Sequence, residues 1–356
     1  MRILEIGEAP FMGNHAPGLT DFCSVLKDAS PETRLTRQRI SDLGRQLKAG
    51  QYALVVYHLR GKTTAPWHRH GRGIRSAFET ASWSLSAFHK IAWHAFHEIL
   101  THVDVPLVIV DVQDSPRITR TELHWLDRAR FWFMRELPPN HLNLFLNMDR
   151  RSGDVINIQR QPLVARNLAK IRPFSLGFDV RDTEGIEVVP PEGKIHDIFY
   201  IGANHTSTVR QEGLKELEAL QATGVRVCLP EKRMPMPEFF RTCAQSWLIW
   251  SPEGQGWDCH RHYEALMLGS VPLINQPTIE RHQPFIHGEH CLYYRTEPGG
   301  LTEAVTRALA DRAALTRIST QGRAHVLRHH TRSQLARHVL ESVGLLEQAA
   351  AGVRDF

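Results

Sequence analysis

Residues 247 to 274 run Trp-Leu-Ile-Trp-Ser-Pro-Glu-Gly-Gln-Gly-Trp-Asp-Cys-His-Arg-His-Tyr-Glu-Ala-Leu-Met-Leu-Gly-Ser-Val-Pro-Leu-Ile. The pattern reads as a strand, a glycine loop, a helix, a tight glycine turn and a second strand. Gly254 and Gly256 allow backbone N–H groups to approach a ligand closely. The start of the following helix adds unpaired donors and the positive end of a dipole, worth ~0.3–1 kcal/mol towards an anion. Arg261 and Glu264 stand three apart and so share a helix face. The arginine can reach a phosphate while the glutamate accepts from a diol such as ribose. This is chemistry for a nucleotide.

Other motifs for bound phosphate fail. Gly254-Gln-Gly-Trp-Asp-Cys lacks the third glycine of a dinucleotide fingerprint. Gly71-Arg-Gly-Ile-Arg-Ser lacks it too and has no strand before it. No Gly-x-x-x-x-Gly-Lys-[Ser/Thr] loop occurs. The 21 histidines invite a metal reading, with His68/His70, His260/His262 and the adjacent His329-His330 as the conspicuous pairs. Helical residues two apart point away from each other, and no His-Glu-x-x-His spacing is present. A metal site is therefore not expected.

Alternating elements must position these residues. In the first half, strands are predicted at Arg2–Ile6, Tyr52–Tyr57, Leu107–Val112 and Leu142–Asn147. Helices are predicted at Thr20–Lys27, around Ser76–His102 and at Glu122–Glu136. After a Pro- and Gly-rich stretch the rhythm restarts. Strands are expected at Ile198–Gly202, Val225–Leu229, Trp247–Trp250 and Val271–Asn275. Helices are expected at Val209–Gln221, Pro237–Gln245 and about Cys259–Leu268, with Gly269 as a C-cap. A helical tail follows, over Leu301–Leu315 and Ala324–Ala350. Strands alternating with helices call for parallel sheets covered on both faces. The expected fold is α/β, two Rossmann-like domains facing a cleft. Their bounds are 1–172, a linker at 173–196, 197–330, and a C-terminal helix at 331–356 that crosses back to the first domain.

Length and composition limit the alternatives. A chain of 356 residues exceeds one ordinary core. Charged residues at 23% and hydrophobic ones at 42% describe a soluble globular protein. No apolar run approaches the ~18 residues that span a bilayer, and the first residues form no signal-peptide core. The five cysteines, at 23, 228, 243, 259 and 291, are scattered and never Cys-x-x-Cys. Disulfides and a zinc ribbon are not expected, and a cytoplasmic location is. The net charge of +5 fits polyanions in general. No nucleic-acid motif accompanies it, so nucleic acid is not an expected partner.

The run Arg261-His-Tyr-Glu264-Ala-Leu-Met-Leu-Gly269-Ser-Val-Pro272-Leu-Ile resembles the donor-site motif of GT-B glycosyltransferases, in the manner of the exostosin-like and group-1 bacterial enzymes. The resemblance extends back through Pro173–Gly177, Lys194–Gly202 and Arg210, and forward through Gln283-Pro-Phe-Ile, covering roughly 170–340. It implies a metal-independent glycosyltransferase that takes a nucleotide-sugar, UDP- or GDP-linked, as co-substrate with no prosthetic group. Glu264 would hold the ribose hydroxyls. Arg261, Arg210 and the Gly254/Gly256 loop would hold the diphosphate, with Ser251 beside them and Gly202 ending the first strand of the donor domain. Glu253 and Glu264 stand eleven apart where the group-1 pattern has seven, so no role on the sugar passes to Glu253.

Transfer with inversion needs a general base for the acceptor hydroxyl, to be sought at strand ends of the first half. His15 lies in the glycine-rich loop after the first strand, and its intrinsic pKa suits a base. Asp111 and Asp114 close the strand at Leu107–Val112. The basic run Arg60, Lys62, His68, Arg69, His70, Arg72 and Arg75 points to an anionic or lipid-linked acceptor, and so to contact with the inner face of a membrane. Trp83, Phe88, Trp93 and Phe96 read as core. The alternatives are a non-catalytic nucleotide- or glycan-binding protein of the same fold and a histidine-rich metal hydrolase.

Overall fold

The computed structural model describes residues 1–7, 10–13, 15–24, 29–59, 96–119, 122–145 and 162–354. The basic run from Arg60 to Arg75, Trp83, Phe88, Trp93 and most of the helix expected around Ser76–His102 lie outside them. The last turns of that helix are present at 96–102. Contacts divide the chain into two compact units. One comprises Met1–Phe174 with Ala336–Phe356, the other Ser175–Leu335.

The first unit carries six parallel strands: β1 (Ile3–Gly7), β2 (Thr20–Ser24), β3 (Leu54–Leu59), β4 (Leu107–Asp111), β5 (Phe131–Met134) and β6 (Ile171–Pro173), in the order β2-β1-β3-β4-β5-β6. Every residue of β1 and β4 is buried. Continuous apolar runs such as Leu107-Val-Ile-Val are what a sheet covered on both faces requires.

Three predicted elements are corrected here. The helix read at Thr20–Lys27 is a strand over its described residues: Thr20–Ser24 pairs in parallel with β1, Ile3 opposite Thr20. Thr, Phe and Cys suit a pleated surface, and the sheet edge overrode the helical reading. Nor are the described residues of the strand read at Leu142–Asn147 extended, since His141–Phe145 is a 3₁₀ turn. The strand lies earlier, at Phe131–Met134, inside the segment read as a helix to Glu136. That helix covers only Leu123–Arg128, because the backbone turns extended at Ala129. The aromatic run Phe-Trp-Phe then enters the sheet between β4 and β6.

The second unit has five parallel strands: β7 (His196–Phe199), β8 (Val227–Cys228), β9 (Ser246–Trp250), β10 (Val271–Asn275) and β11 (Leu292–Tyr294), in the order β8-β7-β9-β10-β11. The predicted helices appear at Thr208–Gln221, Met236–Ala244 and His260–Met267, the last stopped by Gly269 at φ +75°. Trp250, fully buried, donates its indole N–H to Tyr294 (2.9 Å) and lies against Gly213 of the helix Thr208–Gln221. Both sheets therefore have the doubly wound order in which the strand sequence reverses between the first and third strands.

The stretch read as a linker belongs to the second unit from Ser175 onward. Phe178 N–H donates to His330 O (2.8 Å) and Arg332 N–H to Phe178 O (3.0 Å), so this segment is tied to the end of the helix Arg312–His329. Several of the numerous histidines gather there. His325 stacks on His290 with centroids 4.1 Å apart, and His325 and His330 both point Nε2 at the Gln283 carbonyl, 2.9 Å away. They are packing and hydrogen-bonding groups. Among the described residues no three His, Cys, Asp or Glu converge as metal ligands. None of the described helices is long and apolar enough to cross a membrane.

Candidate functional site

In the second unit, the reversal point lies between the C-terminal ends of β7 and β9. The loop from Ser251 to Cys259 that leaves β9 is held from three sides. Asn275, ending β10, accepts the Glu253 N–H (2.9 Å) and donates to the Glu253 carboxylate (3.0 Å). Arg210 donates to Glu253 O (2.8 Å) and Pro252 O (3.4 Å), and from its other amine to Ala203 O (3.1 Å) and Thr206 Oγ1 (2.9 Å). The buried guanidinium thus stitches the loop after β7 to the loop after β9, a duty the sequence does not reveal. A Cβ on Gly254 would stand 2.6 Å from Arg210 Nη2, so glycine permits the stitch. Gly254 donates its own N–H to Gly256 O (2.9 Å), closing the turn.

The far end of the loop is fixed by a buried ion pair. Asp258 accepts from Leu176 N–H (2.9 Å), Tyr263 OH (2.8 Å) and Arg281 Nη2 (3.2 Å). Burial opposes the Asp258 charge, yet Arg281 and His262 hold its pKa below the usual carboxylate range. Arg281 lies 4.4 Å from the Phe285 ring centroid and 5.2 Å from that of Trp257. His262, wholly buried, points Nε2 at Ser251 O (3.1 Å) and accepts the Cys259 N–H at Nδ1, capping the helix His260–Met267. His260 and His262 do point apart, one exposed and one buried.

Arg261 and Glu264 remain, on the first and second turns of that helix. Arg261 donates to Ile201 O (2.6 Å), and its guanidinium carbon lies 5.2 Å from the Tyr200 ring centroid. A Cβ on Gly202 would stand 2.7 Å from its Nη1, so the glycine ending the β7 extension makes room for the arginine. Arg261 Nε is buried without a hydrogen-bond partner, as is Ser251 Oγ. Among the described residues nothing hydrogen-bonds the Glu264 carboxylate. Its pKa is pushed up to about 7, by burial first; Arg261 opposes this and Asp182 adds to it. Unused donors and an unused acceptor thus stand together at the switch point, where doubly wound sheets bind ligands. They can take an anionic group and a diol.

The first-unit candidates are placed as follows. His15 lies in the turn after β1, its N–H donating to Met12 O (3.0 Å). It is half-buried, and burial with the Arg337 charge lowers its pKa, so it is neutral at pH 7. Asp111 ends β4, buried, with Oδ1 accepting from Gln113 N–H (3.1 Å). Burial raises its pKa to about 7, with the Glu122 charge adding. Asp114 is half-exposed and ion-paired with Arg135, which also donates to Val112 O (2.8 Å).

Sequence reasoning passed over Asn275, Tyr200, the Asp258–Arg281 pair and, in the first unit, Glu5. Glu5 alone had a visible signal, an acid inside the apolar run Ile3-Leu4-Glu5-Ile6.

Residues 236–341 match a family model described as glycosyl transferase-like. Among solved structures, HepE from Anabaena in complex with UDP superposes with a TM-score of 0.52 at 12% identity, covering 97% of this chain and 100% of that one. A glycosyltransferase from Rickettsia africae ESF-5 superposes with a TM-score of 0.52 at 10% identity, covering 97% and 98%. No curated protein sequence matches the chain. The fold is that of GT-B glycosyltransferases, and the matched family segment contains the helix bearing Arg261 and Glu264.

Proposed function

We propose that this GT-B protein is a glycosyltransferase that moves a sugar from a nucleotide-sugar donor to an acceptor hydroxyl. The observation that carries the reading is the Arg261–Glu264 pair, with unspent hydrogen-bonding capacity, on the helix that follows β9. Glu264 accepts from the ribose diol, and Arg261 faces the diphosphate. Ser251 Oγ adds a donor. Arg210, Gly254 and Asn275 keep the loop in shape, and Gly202 admits the arginine.

As the glycosidic bond breaks, charge grows on the diphosphate. A preorganised guanidinium then gains most in the transition state, a contribution on the order of 3–4 kcal/mol for one well-placed donor. In transfer with inversion, the acceptor proton passes to a base of the first unit. His15, neutral at pH 7, fits that task best. Asp111 retains the proton affinity but is buried, and Asp114 is tied up by Arg135.

UDP is the first nucleotide to try, because HepE, which shares the fold, was crystallised with it. An anionic or lipid-linked acceptor suits the +5 charge and the basic run from Arg60 to Arg75. A lipid-linked acceptor would bring the protein to the cytoplasmic face of a membrane. The test is a thermal-shift screen against UDP-, GDP-, CDP- and dTDP-sugars, followed by a transfer assay with the donor that stabilises most. No shift with any of them sinks the proposal. Binding without transfer or donor hydrolysis leaves a nucleotide-binding protein that kept the fold.

A further inference from the structure

Glu5 is wholly buried in β1 at 0% exposure, between Leu4 and Ile6 of the first unit's core. An apolar residue would serve the sheet better, since a buried unpaired carboxylate costs several kcal/mol. This one is fully compensated. Its Oε1 accepts from Phe11 N–H (2.8 Å) and Met12 N–H (3.0 Å), and its Oε2 from Gly13 N–H (3.2 Å). His58 Nε2 lies 3.0 Å from Oε1. Three successive backbone N–H groups converging on one point form the type of concavity that binds anions, and here the chain supplies the anion.

The neighbours are built for that arrangement. His58 comes from β3, the strand paired with β1 at this sheet's reversal point. A Cβ on Gly7 would meet its ring at 2.7 Å, so glycine at the end of β1 leaves space for the imidazole. Phe11 packs edge-on to His58 and to Phe174, at 5.7 and 5.9 Å. Met12, fixed by Glu5 through its N–H, uses its carbonyl to accept from His15 N–H (3.0 Å) and Ala16 N–H (2.9 Å). Two hydrogen bonds thus separate the buried carboxylate from the backbone of His15.

We propose that Glu5 is a positioning residue for sugar transfer, an internal anion that shapes the loop after β1 and sets His15 in place. The role rests on the glycosyltransferase reading and on His15 as the base. Glu5→Gln keeps the shape but removes the charge and one acceptor. In the full-length protein, amide exchange at Met12 and Gly13 should rise about tenfold or more, the effect of losing charge-assisted hydrogen bonds. The His15 ring resonances should shift and its titration should move towards the ordinary histidine value. UDP affinity by calorimetry should stay at the wild-type value. Turnover with the donor chosen by the screen should fall roughly a hundredfold in kcat, as for a misplaced catalytic group, at unchanged donor KM.

Wild-type exchange and His15 resonances in Glu5→Gln overturn the inference, and so does faster exchange with unchanged turnover. If that variant does not fold, His58→Leu, which removes one partner of the carboxylate, is judged by the same measurements. A wild type that binds no nucleotide sinks the glycosyltransferase reading and the catalytic part of this inference with it. Unchanged exchange sinks the role of Glu5 alone.

Discussion

The two sheets share a strand order, β2-β1-β3-β4-β5 in one and β8-β7-β9-β10-β11 in the other, yet they treat their reversal points in opposite ways. Between β7 and β9 the polar groups are left with capacity to spare: Arg261 Nε and Ser251 Oγ lack partners, and burial holds Glu264 at a pKa of about 7. Between β1 and β3 the corresponding N–H groups are already filled by Glu5. Topology places a crevice in each sheet. Whether that crevice awaits a ligand depends on which local groups remain unsatisfied. One end keeps polar groups unsatisfied and the other satisfies them from within the chain.

The comparison breaks most readily at Arg261. Arg261→Ala should weaken nucleotide binding by roughly a hundredfold or more, the worth of a charge-assisted contact in a partly buried site. Isothermal calorimetry with UDP measures it, and an unchanged affinity would show that the open crevice is not the binding site. Glu264→Gln should cost roughly tenfold, because an amide accepts from a diol less well than a carboxylate.

The same carboxyl predicts a pH dependence. A diol donates to the charged form, and Glu264 gains its proton as pH falls through about 7. UDP-sugar affinity should therefore be flat above pH 8 and weaken below 7 by about tenfold in all, levelling off below the lower pKa of the complex. The slope should vanish in Glu264→Gln; a slope that survives the substitution would assign the titration to another group. Gly202→Ala should act more mildly. Its Cβ would stand 2.7 Å from Arg261 Nη1 and 2.8 Å from the Tyr200 hydroxyl. The guanidinium would have to shift off the Ile201 carbonyl, for an expected loss of about threefold to tenfold at unchanged melting temperature.

The difference between the units also explains what could be read from the sequence. In the second unit, the loop, the helix His260–Met267 and the strand Val271–Asn275 are contiguous, so glycine spacing and the Arg261–Glu264 interval expose the arrangement locally. Asn275 and the Asp258–Arg281 pair escape, because the partners of each are about 22 residues apart and meet only through sheet order. In the first unit the helix read at Thr20–Lys27 and the strand read at Leu142–Asn147 failed where pairing with neighbours decides conformation. Thr20–Ser24 becomes a strand by lying against β1. Phe131–Met134 becomes one by filling the gap between β4 and β6. Arg210 shows the same limit at a single residue: nothing in its neighbourhood along the chain announces that it will bond Glu253 O, 43 positions away.

The smallest predicted effect concerns acid. Burial lowers the pKa of His196, His262, His290, His325, His329 and His330 in the second unit, with His325 at about 4, and of His15 and His338 in the first. Between pH 6.5 and about 4 the unfolded chain binds more protons at these groups than the folded one, so stability falls as pH falls through that window. Asp111 and Glu264, carboxyls with raised values, act in the other direction, since the folded state takes up their protons first. The lowered carboxyls Asp127, Asp179, Asp197 and Asp258 lose their contribution only below about pH 4. In the second unit the lowered histidines therefore decide the window. Amide exchange followed from pH 7.5 to 5 should show protection falling first around Gln283 and the helix Arg312–His329, where His325 and His330 share one carbonyl, while β1, which carries no histidine, changes little. His325→Gln, which can still donate to that carbonyl, should flatten the dependence. Equal loss of protection in both units would mean that the histidine cluster does not set the acid response, and that the contrast between the units ends at their reversal points.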